Sequence, residues 1–226
     1  MQAKIIFITG TDTGVGKTLL TGLLLGYLRQ RRVRALAMKP FCSGDRADVE
    51  LLYTLQQREL RQEEINPFYF PEPLAPIVAA RKHNRLVPLE EAITRIETVA
   101  TRCDLLLVEG IGGACVPLGE DYLVADLIAG LGCQTIVVSS NRLGTIHATL
   151  ATCYSLGRVG ISKVRIALME QRKPDLSSRT NGGILKELLE ASVMVSVPYL
   201  GSNASNWKQI NRSAKKIKKT LAKLLG

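Results

Sequence analysis

The run Ile5-Ile6-Phe7-Ile8-Thr9-Gly10-Thr11-Asp12-Thr13-Gly14-Val15-Gly16-Lys17-Thr18 constrains the fold more than any other stretch of the chain. An apolar, β-branched segment leads into a glycine-bearing turn, and the helix-forming segment Leu19-Leu20-Thr21-Gly22-Leu23-Leu24-Leu25 follows at once. Strand, glycine turn and helix in that order make a phosphate cradle. Backbone N–H groups converge on the oxyanions, the positive end of the helix adds to them, and a lysine neutralises the β- and γ-phosphates while a threonine hydroxyl can ligate Mg²⁺. Lys17 and Thr18 stand in those last two places. The usual pattern has four residues between its two glycines. Here Gly10 and Gly16 are separated by five residues, Thr11 to Val15.

Apolar, β-rich runs recur at Ile5–Thr9, Val33–Met38, Leu105–Glu109, Thr135–Ser139, Val164–Met169 and Val193–Val197, separated by segments that read as helices. Continuous rather than alternating apolar runs fit strands buried on both faces. The expected fold is therefore α/β, a parallel-sheet P-loop NTPase fold with helices on both faces, in a single domain over residues 1–226. Right-handed crossovers then put ligands at the carboxyl ends of the strands. Gly10 to Thr18, Lys39 to Asp48, Glu109 to Gly113 and Asn141 to Gly144 all fall just there. Asn66 to Pro76 holds four prolines and three aromatics in eleven residues, which reads as a stiff loop near the site.

The formal charge of +10 raises nucleic acid and membrane surfaces as partners. Much of it sits in Arg29-Gln30-Arg31-Arg32-Val33-Arg34 and in Lys215-Lys216-Ile217-Lys218-Lys219 with Lys223. Ile217, Leu221, Leu224 and Leu225 recur at helical spacing, so a C-terminal helix from Ile210 to Leu225 is expected to dock by its apolar stripe and show its lysines to water. No aromatic-studded basic groove accompanies them. Neither nucleic acid nor a membrane is expected as a partner, and the charge serves to attract anionic substrates such as nucleotides. With no leader-like segment and no apolar run near the roughly 20 residues a bilayer needs, the expected compartment is the cytoplasm. Cys42, Cys103, Cys115, Cys133 and Cys153 show no CxxC spacing and read as small core residues.

Two strand tips carry chemistry beside the phosphate loop. Glu109 closes Leu105-Leu106-Leu107-Val108 and precedes Gly110-Ile111-Gly112-Gly113, where a carboxylate can hold Mg²⁺ and the glycines let backbone approach substrate oxygens. Asp48, at the start of a helical run, is by itself an ordinary helix-start acid. In Met38-Lys39-Pro40-Phe41-Cys42-Ser43-Gly44 the lysine offers a second positive charge for phosphoryl chemistry, and Ser43 adds a hydroxyl.

Taken together, Gly10-Thr11-Asp12-Thr13-Gly14-Val15-Gly16-Lys17-Thr18, Lys39-Pro40-Phe41-Cys42-Ser43-Gly44, Asn66-Pro67-Phe68, Val108-Glu109-Gly110-Ile111-Gly112-Gly113 with Val116-Pro117-Leu118, and Leu143-Gly144-Thr145-Ile146 resemble the dethiobiotin synthetases, in the family's order, over residues 1 to about 160. The long phosphate loop is the form that family uses. The resemblance implies an ATP-dependent cyclo-ligase of biotin synthesis, working as a homodimer. Diaminononanoate takes up CO₂ as a carbamate, ATP phosphorylates the carbamate to a carbamic-phosphoric anhydride, and the second amine closes a cyclic urea. Carried over, Thr18, Asp48 and Glu109 are Mg²⁺ ligands, and Lys17, Lys39 and Thr13 act at the reacting groups. Ser43, Gly112, Thr145 and His147 bind substrate; Gly14, Val15, Gly16, Lys17, Thr18 and Leu19, with Glu170 and Pro198, bind the nucleoside triphosphate.

This chain departs from the family pattern at three places. Gly14 stands where the family often has glutamate, and His147-Ala148 replaces an Asn-His pair at the helix start that receives the substrate carboxylate. Leu168-Met169-Glu170-Gln171-Arg172 lacks the asparagine that reads adenine, which leaves Glu170 or Gln171 for that place. A rival reading on the same fold is a ParA/MinD-like ATPase, whose phosphate loop usually carries an early lysine. Thr11-Asp12-Thr13 has none. A cobyrinic acid amide synthetase-like ATPase would need a glutaminase domain, for which 226 residues leave no room.

Overall fold

A computed structural model describes residues 3–189 and 193–226. The chain runs β1 (Lys4–Gly10), α1 (Lys17–Gln30), β2 (Ala35–Met38), β3 (Phe41–Ser43), α2 (Ala47–Leu55), α3 (Gln62–Ile65), β4 (Phe68–Phe70), α4 (Pro76–Lys82) and α5 (Leu89–Ala100). It continues through β5 (Leu105–Gly113), α6 (Val124–Leu131), β6 (Gln134–Ser140), α7 (Thr145–Arg158), β7 (Val164–Met169), α8 (Asn181–Leu188), β8 (Val193–Val197), α9 (Trp207–Lys216) and α10 (Lys218–Leu225). Six strands form one sheet in the order β2-β5-β1-β6-β7-β8, with every neighbouring pair parallel.

That order fixes the layers. The crossover from β1 to β2 moves one way along the sheet, whereas those from β2 to β5, β5 to β6, β6 to β7 and β7 to β8 move the other way. Right-handed crossovers of opposite direction lie on opposite faces. So α1 covers one face, α5 to α8 cover the other, and α9 and α10 return to pack on α1. Strands sandwiched in this way must be apolar on both sides, and Ile6, Phe7, Ile8, Leu106, Leu107, Val108, Ile136, Val137 and Val138 are all fully or almost fully buried. The connections diverge at β1, the topological switch point where open α/β sheets bind ligands.

Three sequence expectations need correction. The segment Asn66–Pro76 is not loop throughout, because Phe68–Phe70 pairs with Phe41–Ser43 as a second, two-stranded parallel sheet, with the Phe41 and Phe68 rings stacked at 4.8 Å. Three-residue strands flanked by prolines carry too little periodicity to be read. The C-terminal helix is two helices that break at Ile217; α9 packs on α1, whereas α10 keeps only an edge on α1 and turns onto β8 and β7, which one straight helix does not reach. Cys42 and Cys103 are buried, but Cys115 is exposed with its Sγ 3.1 Å from Ser155 Oγ. Among the described residues no helix is long and apolar enough to cross a membrane.

Candidate active site

Register brings the charged tips together. Ile8 of β1 lies opposite Glu109 of β5, and Met38 of β2 lies opposite Val108, so Lys39 and Glu109 emerge side by side next to the phosphate loop. Lys39 Nζ donates to Glu109 Oε1 at 2.8 Å and to Asp48 Oδ2 at 2.5 Å. The Thr18 hydroxyl donates to the same Glu109 Oε1 at 2.7 Å. Glu109 is 0% exposed, yet its other oxygen, Oε2, has no hydrogen-bond partner among the described residues. A buried carboxylate oxygen without a donor is costly, and a divalent cation is the group that would satisfy it. The donors present suit Mg²⁺, which takes one or two carboxylates and fills its octahedron with phosphate oxygens and water. Among the described residues no group of three or more His, Cys, Asp and Glu side chains is arranged for a metal. An all-protein cage is therefore not the design.

Both lysines are buried, with opposite consequences. Burial works against the Lys39 ammonium, but Glu109 and Asp48 outweigh it and raise its pKa above the ordinary lysine value. Lys39 is a fixed cation. Its backbone is stapled as well: Asn66 Nδ2 donates to the carbonyls of Lys39 and Pro40 at 3.0 and 3.1 Å, and Lys39 N donates to Ile65 O. Lys17 reaches back over its own loop to the Asp12 carbonyl at 2.8 Å, and burial lowers its pKa to about 8. Glycine is required in this loop for two reasons. Gly16 has φ +103°, and a Cβ there would come within 3.2 Å of Met169. Gly14 has φ +74° but faces open space, so the limit there is backbone conformation and not room.

A cavity of about 800 Å³ joins the phosphate loop to Lys39 and Asp48, while Glu109 lies just behind them, fully buried and bordering a much smaller apolar cavity with Phe7, Phe41 and Leu118. Thr13, Gly14, Gly16, Lys17, Thr18 and Leu19 form one wall, Lys39, Ser43 and Asp48 another, and Ile111 with Gly112 a third. Pro73 to Pro76 close the side, so the proline-rich segment does border the site. Cys42, Asp45, Val116 and Ser205 also line it and were not singled out from the sequence. For Asp45 the signal was its place between Ser43 and Asp48; Ser205, in the connection before α9, left none.

The remaining site candidates lie elsewhere on the same edge of the sheet. The Thr145 hydroxyl donates to Ser140 O and accepts from Arg142 N, which spends it on the turn that starts α7. His147 is exposed in the first turn of α7. Glu170 Oε1 accepts from Asn141 Nδ2 at 2.9 Å and from the Ser196 hydroxyl at 2.5 Å, and Pro198 is exposed just after β8. Val15 turns its side chain into the core.

Residues 4–205 match the AAA domain family. The ATP-dependent dethiobiotin synthetase BioD of Bacillus licheniformis is 37% identical over 203 residues, covering 87% of this chain and 86% of that one. The protein of the same name from Bacillus subtilis is 35% identical over 202 residues, with 87% of each chain covered. The chain belongs to the dethiobiotin synthetase family. The BioD protein of Methanocaldococcus jannaschii is 39% identical over a shorter stretch of 161 residues, 70% of this chain and 75% of that one. Among solved structures, MinD in the MinC:MinD cell division complex of Aquifex aeolicus superposes with a TM-score of 0.61 at 15% identity, covering 96% of each chain. A ParA family ATPase of Chlorobium tepidum gives 0.58 at 16% identity, covering 97% of this chain and 96% of that one. At such identities these two share the fold alone with this dethiobiotin synthetase family member.

Proposed function

We propose that the protein is an Mg²⁺- and ATP-dependent dethiobiotin synthetase, one cytoplasmic P-loop domain over residues 1–226 that works as a homodimer. Its substrates are diaminononanoate, CO₂ and a nucleoside triphosphate. The observation that carries the reading is the pairing of Lys39 with Glu109 and Asp48 beside the phosphate loop, with Glu109 Oε2 left over. Thr18, Asp48 and Glu109 would hold Mg²⁺, which supplies charge neutralisation on the β- and γ-phosphates.

The chain's own residues do the rest. Backbone N–H groups of Gly14 to Leu19 and the Lys17 ammonium bind the phosphates. Thr13 and Ser43 orient the carbamate, and Lys39 holds positive charge against it while a carbamate oxygen attacks the γ-phosphorus and ADP leaves. The second amine then attacks the carbamoyl carbon, phosphate departs, and the cyclic urea closes. An anion attacking a polyanion needs charge neutralisation more than a proton-transfer dyad, which is what two lysines and a cation provide. Gly112 presents backbone to substrate, Thr145 holds the turn that presents His147 to the substrate tail, and Glu170 and Pro198 border the base. The test is direct: purified protein with diaminononanoate, bicarbonate, Mg²⁺ and each nucleoside triphosphate in turn. The reading expects dethiobiotin and equimolar phosphate; absence of product with every nucleotide would defeat it.

A further inference from the structure

The helices α9 and α10 lie beyond the segment that matches the family, which ends at residue 205. It carries six lysines and Arg212 between residues 208 and 223, and residues 191–226 contain no aspartate or glutamate. All seven cations are exposed, and none takes part in an ion pair among the described residues. Lys208, Arg212 and Lys215 form one stripe along α9, and Lys219 and Lys223 another along α10. Like charges four residues apart weaken a helix, so this arrangement is kept against a local cost.

We propose that the exposed lysines of these two helices dock the protein on an anionic lipid surface. Three observations favour a lipid surface over other polyanions. The cations are lysines with one exception, diffuse point charges and not the bidentate forks that recognise individual phosphates. The two helices have no aromatic-lined groove to take a nucleic-acid strand. Trp207, the single tryptophan of the chain, is 43% exposed at the head of α9 with Lys208 Nζ 5.6 Å from its ring, the amphipathic side chain that sits at headgroup level. Clusters of four to eight basic residues on an amphipathic helix attract anionic headgroups in just this way.

The docking is electrostatic and shallow. Ile210, Ala214, Leu221 and Leu224 are buried against the body, and the end of α10 is pinned where Arg165 Nη1 donates to Leu224 O and Lys4 Nζ donates to Leu225 O. The apolar side is therefore not free to enter a bilayer. The pinning and the exposed tryptophan are what the charge pattern alone did not show.

The experiment is co-sedimentation of the full chain with vesicles of equal parts phosphatidylglycerol and phosphatidylcholine, beside vesicles of phosphatidylcholine alone, with Trp207 fluorescence recorded. Partition onto the anionic vesicles is expected to be about tenfold stronger or more, with a change in Trp207 emission, and to vanish as salt rises from about 0.05 to about 0.5 M. Lys215→Glu, Lys219→Glu and Lys223→Glu together should abolish it, and the milder glutamine triple should weaken it, both with unchanged circular dichroism. Equal binding to both vesicle types, no binding at low salt, or displacement of the protein from vesicles by a DNA duplex at equal phosphate concentration would each overturn the proposal, the last in favour of nucleic acid.

Discussion

Above β2, β5 and β1 the strand tips carry two lysines and two acids, with Lys39 held between Glu109 and Asp48 and one carboxylate oxygen left bare. Above β6, β7 and β8 the tips carry a mostly neutral network. Asn141 Nδ2 donates to Glu170 and to Ser178 O, its Oδ1 accepts from Asn181 Nδ2, and Ser196 closes the ring on Glu170. The same fold thus offers one half of the crevice that keeps unsatisfied charge in reserve and one that spends its polar groups on itself. The first is arranged for charged chemistry, and the second holds in register the strand tips that the proposed function places beside the base and the substrate tail.

The largest effect should come from breaking the charged half. Lys39→Ala leaves Glu109 buried without its cation, so about 3 kcal/mol of stability in urea denaturation and about a thousandfold in turnover should be lost. Lys39→Met with Glu109→Gln should recover most of the stability and none of the activity. In the neutral half, Asn141→Ala strips two donors and an acceptor from a buried cluster and should cost about 2 kcal/mol. At saturating substrates its turnover should stay near that of the parent. Equal losses of activity in the two halves would erase the distinction between them.

A finer test separates positioning from charge. Asn66→Ala frees the carbonyls of Lys39 and Pro40, which should cost about 1 kcal/mol and lower kcat about tenfold with little change in the KM for ATP. The smallest effect concerns the proline wall of the cavity. Hydrogen bonds from His83 and Lys82 pull the Glu72 pKa down to about 2. Since the folded pKa is depressed, the tether's contribution is present above the unfolded value of about 4.3 and is lost as pH falls toward about 2. A shallow acid-side loss of stability, absent in Glu72→Gln and reduced by salt, should appear in denaturation curves taken at stepped pH.

The charged half was also the half legible in the sequence. Lys17, Thr18, Lys39 and Glu109 each end a strand or begin a helix within a run whose period is plain, so their convergence follows from a parallel sheet with its switch at β1. The six strands were legible for the same reason, since apolar runs buried on both faces announce themselves. The neutral half was not. Asn141 was visible at the end of a strand, but its partner Asn181 lies forty residues on with no local signal, and only the folded sheet lets them meet. Asn66 was visible as part of a motif, but its work as the staple under Lys39 depends on the small β3–β4 sheet, whose strands are too short to show a period. The break at Ile217 escaped for a related reason: the apolar spacing runs through it, and only the different docking partners of α9 and α10 require it.

The central claim is the proposal that Glu109 Oε2, which has no partner among the described residues, is a ligand for Mg²⁺. It is tested most directly by the Mg²⁺ dependence of dethiobiotin formation in the parent and in Glu109→Gln, which keeps the shape and the Thr18 contact. The account predicts that the variant needs about tenfold more Mg²⁺ or greater and turns over at least about a hundredfold more slowly at saturation. An unchanged Mg²⁺ requirement with full turnover would contradict it.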